Sequence, residues 1–415
     1  MHILFVHKNF PAQFGHIAGH LIRTKGYECS FVSELPDANV NGIRRIQYKA
    51  KSGATAATHY CSRTFENATW HAHAVYEACK AHPEIKPDLI VGHSGFGSTA
   101  FLADLYDAPI LNYFEYFYRS KGSDLDFRKE FPTDELTILR SRTRNAMILV
   151  DLETCTRGYC PTGWQRSLFP DQFQSKLGTV FDGIDTDVWA RNPNVARKVG
   201  NREIPSGTRI VTYVSRGFES MRGFDIFMKV AKRICDARDD VVFVCVGSDR
   251  VCYGGDLNHI EEETFRDHVL KQDDYDLDRF IFTGRVDPAQ LVDIFSLSDL
   301  HIYLTVPFVL SWSMMNSLSC GCTVLGSATP PIQEMIRHGE NGLLADFYDV
   351  HGLANQALEV LEDPDQYRHL GQAGAEMIRQ RYSLEVCLEG MLKLYEDTLN
   401  RTRPSNDDVF SSLDP

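Results

Sequence analysis

The chain has 415 residues, 43% of them hydrophobic, and a formal net charge of −13. Those values fit two or three soluble α/β domains with a sizeable core. The acidic balance argues against nucleic acid as a partner, because a phosphate backbone calls for basic faces. The eleven cysteines lack knuckle spacing and read as reduced thiols, with no metal site expected. Met1-His-Ile-Leu-Phe-Val6 enters an apolar strand at once, which reads as a cytoplasmic chain without leader or membrane span.

In chain order, the pattern predicts a strand at Ile3–His7, a helix over 13–24, a strand at Cys29–Ser33, a helix over 64–81 and a strand at Leu89–Gly92. A helix over 98–104, an apolar segment at 109–114 and a charged helix over 133–149 follow. This is the βαβ rhythm of a doubly wound sheet. A polar stretch near 181–205, rich in Asn, Pro and Arg, reads as an interdomain connection. A second series comprises a strand at Ile210–Val214, a helix over 223–237, strands at 241–247 and 280–283, a helix over 288–297, a strand at 300–304, a helix over 313–320 and a strand at 323–327. The acidic run 256–278 reads as a solvated insertion. The expected organisation is thus a Rossmann-like domain at 1–180, a connection at 181–205, a second Rossmann-like domain at 206–382, a helix at 383–400 crossing back to the first domain, and a disordered tail at 401–415.

The strand Ile210–Val214 runs into Ser215-Arg-Gly-Phe-Glu-Ser-Met-Arg-Gly223. Ligands of parallel sheets collect beyond the carboxyl ends of the strands. Gly217 and Gly223 permit close backbone approach, and a guanidinium presents a permanently charged fork that matches phosphate oxygens. Arg216 and Arg222 therefore read as a clamp for a diphosphate leaving group, the plain alternative being two surface arginines around a loop. His93 follows a strand and faces the expected cleft, where a structural histidine is the alternative. Gly15 and His16 sit at the first strand-to-helix turn. Glu115 lies in an aromatic run that suits either an acceptor wall or a core. Arg140, Arg142 and Arg144 suit a basic ridge or, more simply, a solvated helix face.

In order and spacing, several motifs resemble the retaining GT-B glycosyltransferases of family four, also called group 1. The family's Gly-Arg…Lys-Gly loop is similar to Ser215-Arg216…Arg222-Gly223, and its Glu-Ala-Met-Ala-Cys-Gly segment is similar to Asn316-Ser-Leu-Ser-Cys-Gly321. Asn9-Phe-Pro-Ala-Gln-Phe-Gly15, His93-Ser-Gly-Phe-Gly97, Phe114-Glu-Tyr-Phe-Tyr118 and Phe181-Asp-Gly-Ile-Asp185 resemble a bacterial subgroup. The resemblance implies two Rossmann-like αβα domains facing each other across a cleft. It also implies transfer of a sugar from a nucleoside diphosphate, UDP or GDP first, to an acceptor hydroxyl with its anomeric configuration kept. No metal or other cofactor is implied.

By position, Arg216, Arg222 and His93 inherit catalytic roles. Gly15, Gly217, Arg285, Val286, Phe308, Ser311, Trp312, Ser313 and Asn316 join the two arginines on the donor side. His16, His93 and Glu115 fall on the acceptor side. The resemblance breaks at Phe308 and Asn316, where the family has two glutamates that touch sugar and ribose. An inactive or weakly active partner subunit that binds a nucleotide sugar is therefore the rival reading. Expected partners are a nucleotide sugar and a glycan, lipid-linked or small-molecule acceptor, with peripheral contact at the inner membrane face allowed by the slightly cationic first 150 residues.

Overall fold

Long apolar strands buried on both faces are what parallel sheets require, and each half of the chain supplies one such sheet. The computed structural model describes residues 1–35, 42–95 and 99–400. They fall into two units: one from 1–120, 134–182 and 387 onward, the other from 121–133 and 183–386.

The first unit holds β1 (His2–Val6), β2 (Glu28–Ser33), β3 (Ile43–Gln47), β4 (Leu89–His93), β5 (Ile110–Tyr113), β6 (Arg157–Cys160) and β7 (Leu177–Thr179). All pair in parallel, in the order β3-β2-β1-β4-β5-β6-β7. The strand order reverses between β1 and β4, so their carboxyl ends open a crevice there. The closing helix Leu384–Leu399 buries Met391, Leu394 and Tyr395 with Ile3, Phe5 and Phe14.

The second unit begins with a small antiparallel hairpin, β8 (Lys198–Val199) and β9 (Arg202–Glu203). Its sheet contains β10 (Arg209–Gly217), β11 (Val241–Ser248), β12 (Phe280–Gly284), β13 (Leu300–Tyr303), β14 (Val324–Ser327) and β15 (Leu343–Ala345). The order is β12-β11-β10-β13-β14-β15, which places the reversal between β10 and β13. The helix Phe224–Ala237 buries Phe224, Phe227, Met228, Ala231 and Ile234, an i, i+3, i+4, i+7 stripe that seats it on the sheet.

Several expectations change. The stretch 13–24 is helical as expected but changes form along its length, from a tight 3-10 turn at Ala12–Phe14 through α-helix at Gly15–His20 to a wider π turn at Leu21–Lys25. Of 98–104 only a single tight turn, Leu102–Asp104, is present among the described residues, and Phe96, Gly97 and Ser98 lie outside them. The charged helix splits into Glu135–Arg144 and Ala146–Thr154, because the Asn145 side chain accepts from the Tyr118 amide (2.9 Å) and donates to its carbonyl (2.8 Å). Residues 183–205 are no free connection: Arg191 donates to the Ser296 carbonyl (2.9 Å) and Ser319 to that of Trp189 (2.6 Å). Residues 121–133, placed by sequence in the first domain, pack within the second unit. The acidic insertion is not wholly solvated, since Asp256, Phe265 and Val269 are buried. The tail 401–415 lies outside the described residues.

Gly223 ends the tight turn Ser220–Arg222 with φ 63°, and a Cβ there would lie 2.8 Å from Cβ of Leu304. Gly339 has φ 77° but open space around it. Gly223→Ala should lower stability by about 2–4 kcal/mol and Gly339→Ala by about 1 kcal/mol, since only the first adds overpacking to backbone strain. Denaturant unfolding midpoints of the two variants check this, and equal losses would contradict the packing at Leu304.

Candidate functional site

At the reversal point of the second sheet, β10 ends in an irregular register between Val214 and Gly217. Gly217 is forced by crowding, since a Cβ would meet the Arg250 carbonyl at 2.3 Å and Cys252 Sγ at 2.9 Å. The chain then makes the turn Ser220–Arg222, and the Arg222 carbonyl accepts from the Tyr213 hydroxyl at 2.9 Å.

The two arginines separate here. Arg222 is 6% exposed; its Nη1 donates to Thr305 Oγ1 (2.7 Å) and toward Tyr303 Oη (3.4 Å), and its Nη2 to the Val309 carbonyl (3.0 Å). All three acceptors are neutral. Its guanidinium also faces the rings of Tyr253 (5.5 Å) and Phe308 (5.8 Å), which lie 5.2 Å from one another. Arg216 is exposed, and its Nη1 lies 3.4 Å from Tyr253 Oη. Tyr253 therefore serves both guanidinium groups, a role that sequence reasoning missed, as it missed Tyr303 and Thr305.

On the other side of the reversal point, the helix Trp312–Ser319 starts beside Tyr303, whose hydroxyl accepts from the Ser311 amide at 2.9 Å. Ser311 caps the helix by accepting from the Ser313 amide (3.3 Å), and Ser313 Oγ reaches the Val214 carbonyl at 3.5 Å. Ser313 thus lies against the end of β10, and Asn316, three residues later, shares its helix face. Asn316 is 6% exposed and its Oδ1 has no hydrogen-bond partner. A buried acceptor left unpaired costs about 1–3 kcal/mol, which a ligand hydroxyl would recover. Trp312 is 47% exposed. These bonds join Arg222, Tyr303 and the start of the helix Trp312–Ser319 in one candidate site, with exposed Arg216 at Tyr253 and the orphan acceptor Asn316 about one turn along the helix. Arg285 and Val286 follow β12, two strands from β10.

Glu219 underlies this arrangement. It is fully buried, and its Oε2 accepts from the amides of Cys252 (2.5 Å) and Tyr253 (2.9 Å), fixing the loop that carries Tyr253. Burial pushes its carboxyl up to about 7, partly offset by the two amide hydrogen bonds and the Arg222 charge.

In the first unit, Gly15 and His16 follow β1, His93 ends β4 at the reversal point, and Glu115 follows β5. His93 ends β4, 5% exposed, with its ring 4.9 Å from that of His7 and 4.9 Å from that of Tyr113. Its Nδ1 lies 2.7 Å from the Ser94 carbonyl; a carbonyl only accepts, so Nδ1 carries the proton and Nε2 the lone pair. Burial, followed by the His7 charge, pushes the imidazole down to about 3, so it is neutral in physiological solution. His16 is half-buried and pushed down to about 4 by burial. Gly15 has a local packing reason, since a Cβ there would meet Pro11 Cγ at 2.8 Å. Glu115 is half-buried and its carboxyl is raised by burial. Arg140 and Arg144 lie over the rings of Tyr60 (4.4 Å) and Tyr118 (3.7 Å), so they form no continuous basic ridge with exposed Arg142. Among the described residues no helix is long and apolar enough to cross a membrane.

The family model described as "Glycosyl transferase family 4 group" matches residues 25–189, and that described as "Glycosyl transferases group 1" matches residues 196–377. N-acetyl-alpha-D-glucosaminyl L-malate synthase of Bacillus anthracis is 27% identical over 223 residues, 54% of each chain. D-inositol 3-phosphate glycosyltransferase of Thermobifida fusca is 22% identical over 237 residues, 55% of this chain and 51% of its own. The matches therefore span about half the length of these relatives. Among solved structures, sucrose-phosphate synthase from Thermosynechococcus elongatus is similar with a TM-score of 0.73 at 20% identity, covering 97% of this chain and 100% of its own. Anabaena HepE in complex with UDP and glucose gives 0.69 at 14% identity, covering 96% and 100%. At such identities the likeness is one of fold, and that fold is GT-B.

The Glu219 environment makes a pH-dependent prediction. Its folded value near 7 stands above the ordinary 4.5, so between these values the unfolded state has released its proton while the folded state still holds it. Stability contributed by this group is full below about 4.5 and declines as pH rises through about 7. Unfolding curves measured from pH 4 to 8 should show a shallower decline for Glu219→Gln than for wild type; parallel curves would contradict the assignment.

Proposed function

Because this chain belongs to the group 1 glycosyltransferases, we propose that it transfers a sugar from a nucleoside-diphosphate donor to an acceptor hydroxyl, with anomeric configuration kept. The observation that carries this reading is Arg222, a buried guanidinium with neutral partners at the reversal point of a parallel sheet. In the transfer, the bond from sugar C1 to the diphosphate oxygen breaks and one to the acceptor oxygen forms. Negative charge grows on the leaving diphosphate, and preorganised donors aimed at growing charge supply much of catalysis. Arg222 and Arg216 provide two such donors, and the amides at the start of the helix Trp312–Ser319 favour an anion by their dipole. No step requires a metal.

Asn316 Oδ1 suits a ribose hydroxyl, and the ring of Phe308 lines the sugar side. Val286 and Arg285 stand for contact with the base, and Trp312 for contact with the donor. UDP is the first donor to test, since the similar HepE structure carries UDP and glucose; GDP is the second. On the first unit, His93 with its Nε2 lone pair, His16 and Glu115 are the proposed acceptor-side groups, with a glycan, lipid-linked or small-molecule acceptor. We place the protein in the cytoplasm, with glycan or glycoconjugate synthesis as its setting.

One rival reading has a specific observation behind it. Phe308 and Asn316 stand where the family resemblance implies carboxylates, so the chain also fits a weakly active homologue that binds a nucleotide sugar and serves a partner subunit.

A panel of UDP-, GDP-, ADP- and TDP-sugars separates the two readings. Turnover with one donor, reduced roughly a hundredfold in Arg222→Ala, is the expected result, equivalent to about 3 kcal/mol of lost transition-state contact. Binding without transfer or hydrolysis would favour the partner-subunit reading, and unaltered turnover in Arg222→Ala would sink the phosphate clamp. Asn316→Glu should strengthen nucleotide binding several-fold by offering the ribose a charged acceptor; an unchanged affinity would remove Asn316 from the ribose site.

A further inference from the structure

Residues 121–133 lie in sequence between the first unit's β5 and its helix Glu135–Arg144, yet they pack as part of the second unit. This strap opens with a capping box, in which Ser123 and Asp126 hold each other's backbone amides, around the short helix Asp124–Phe127. Phe127 then stacks on Tyr348 (5.5 Å) and meets the edge of Phe347 (5.2 Å), while the Tyr348 hydroxyl donates to the Phe127 carbonyl (2.7 Å). Phe131 packs on Phe265 at 5.3 Å.

At the centre of the strap, Arg128 is 4% exposed. Its Nη1 and Nη2 grip Asp225 at 3.1 and 2.7 Å, and Nη1 also donates to the Ser220 carbonyl at 2.5 Å. Its guanidinium lies 5.2 Å from the rings of Phe131 and Phe347. Ser220 opens the turn that ends in Arg222, and its other polar atoms are taken by Asp256, which accepts from its amide (2.7 Å) and its hydroxyl (2.5 Å). Asp225 stands in the first turn of the helix that follows. The three-residue turn carrying the buried cation is therefore held at its entry by Arg128 and Asp256, and at its exit by the Arg128–Asp225 pair.

We propose that Arg128 is a positioning residue for the phosphate-binding turn: the strap sets where the Arg222 guanidinium sits and thereby tunes affinity for the diphosphate of the donor. This rests on the donor reading above. The geometry is particular to arginine, since one planar fork satisfies a carboxylate bidentately while a further N–H reaches a carbonyl, which a lysine ammonium does not reproduce. A buried pair of this kind is a weak source of net stability but a strong constraint on geometry once formed.

The test compares UDP with uridine in the full chain by calorimetric titration. Arg128→Gln should weaken UDP binding about tenfold, a loss typical of contacts within one hydrogen-bonded network, and leave uridine binding unchanged, because uridine has no diphosphate to meet Arg222. Tyr348→Phe, at a partly exposed site, keeps the chain folded if Arg128→Gln does not, and should weaken UDP binding roughly two- to threefold, again without touching uridine. Arg368→Ala, which removes an arginine paired with Asp365 elsewhere on the unit, serves as the control and should change neither. Equal losses for UDP and uridine, or unchanged UDP affinity in folded Arg128→Gln and Tyr348→Phe, would overturn the positioning role. A wild type that binds neither UDP nor GDP would overturn the donor reading itself, and this inference with it.

Discussion

The guanidinium of Arg222 is 6% exposed and is held by two hydroxyls and a carbonyl, none of which carries charge. Removing a cation from water without a paired anion is among the most costly arrangements a fold can hold. The other buried arginine nearby, Arg128, has the usual solution in Asp225. A cation whose hydrogen-bond partners are all neutral, at the point where a parallel sheet reverses its strand order, suits an anionic ligand, because the ligand completes the pairing. The neutral acceptors keep the fork oriented without cancelling its charge.

Much of the second unit's polar structure serves that cation. Tyr303 links it to the start of the helix Trp312–Ser319 by accepting from the Ser311 amide. Tyr253 and Phe308 supply ring faces, which attract a cation without neutralising it. Glu219 holds the Tyr253 loop through two amides instead of pairing directly with Arg222, and Asp256 and Arg128 secure Ser220. Asp256 is occupied by Ser220 and Asp225 by Arg128, while Glu219, whose charge acts on Arg222, commits one oxygen to the two amides, which leaves the hydrogen-bonding fork of Arg222 open to the ligand.

Strands with mostly apolar runs, such as those at β1, β4, β10 and β11, are legible from sequence because burial on both faces leaves little room for polar residues. β3 is not, since Ile43-Arg-Arg-Ile-Gln47 is an edge strand with exposed positions. The break at Asn145 depends on a side chain bonding to Tyr118, 27 residues away, a contact that no local pattern encodes. At the site, the two arginine–glycine pairs look equivalent in sequence, and only the structure makes one buried and the other exposed. The orphan Asn316 was legible through its place in a motif. Tyr253, Glu219 and the strap at 121–133 were not, because their roles exist only once distant segments meet.

The most direct measurement is the structure of this chain with UDP bound. Diphosphate oxygens are expected within about 3.2 Å of the Arg222 guanidinium, with a ribose hydroxyl on Asn316 Oδ1. A diphosphate seated elsewhere, with Arg222 still bonded only to Tyr303, Thr305 and Val309, would contradict that placement.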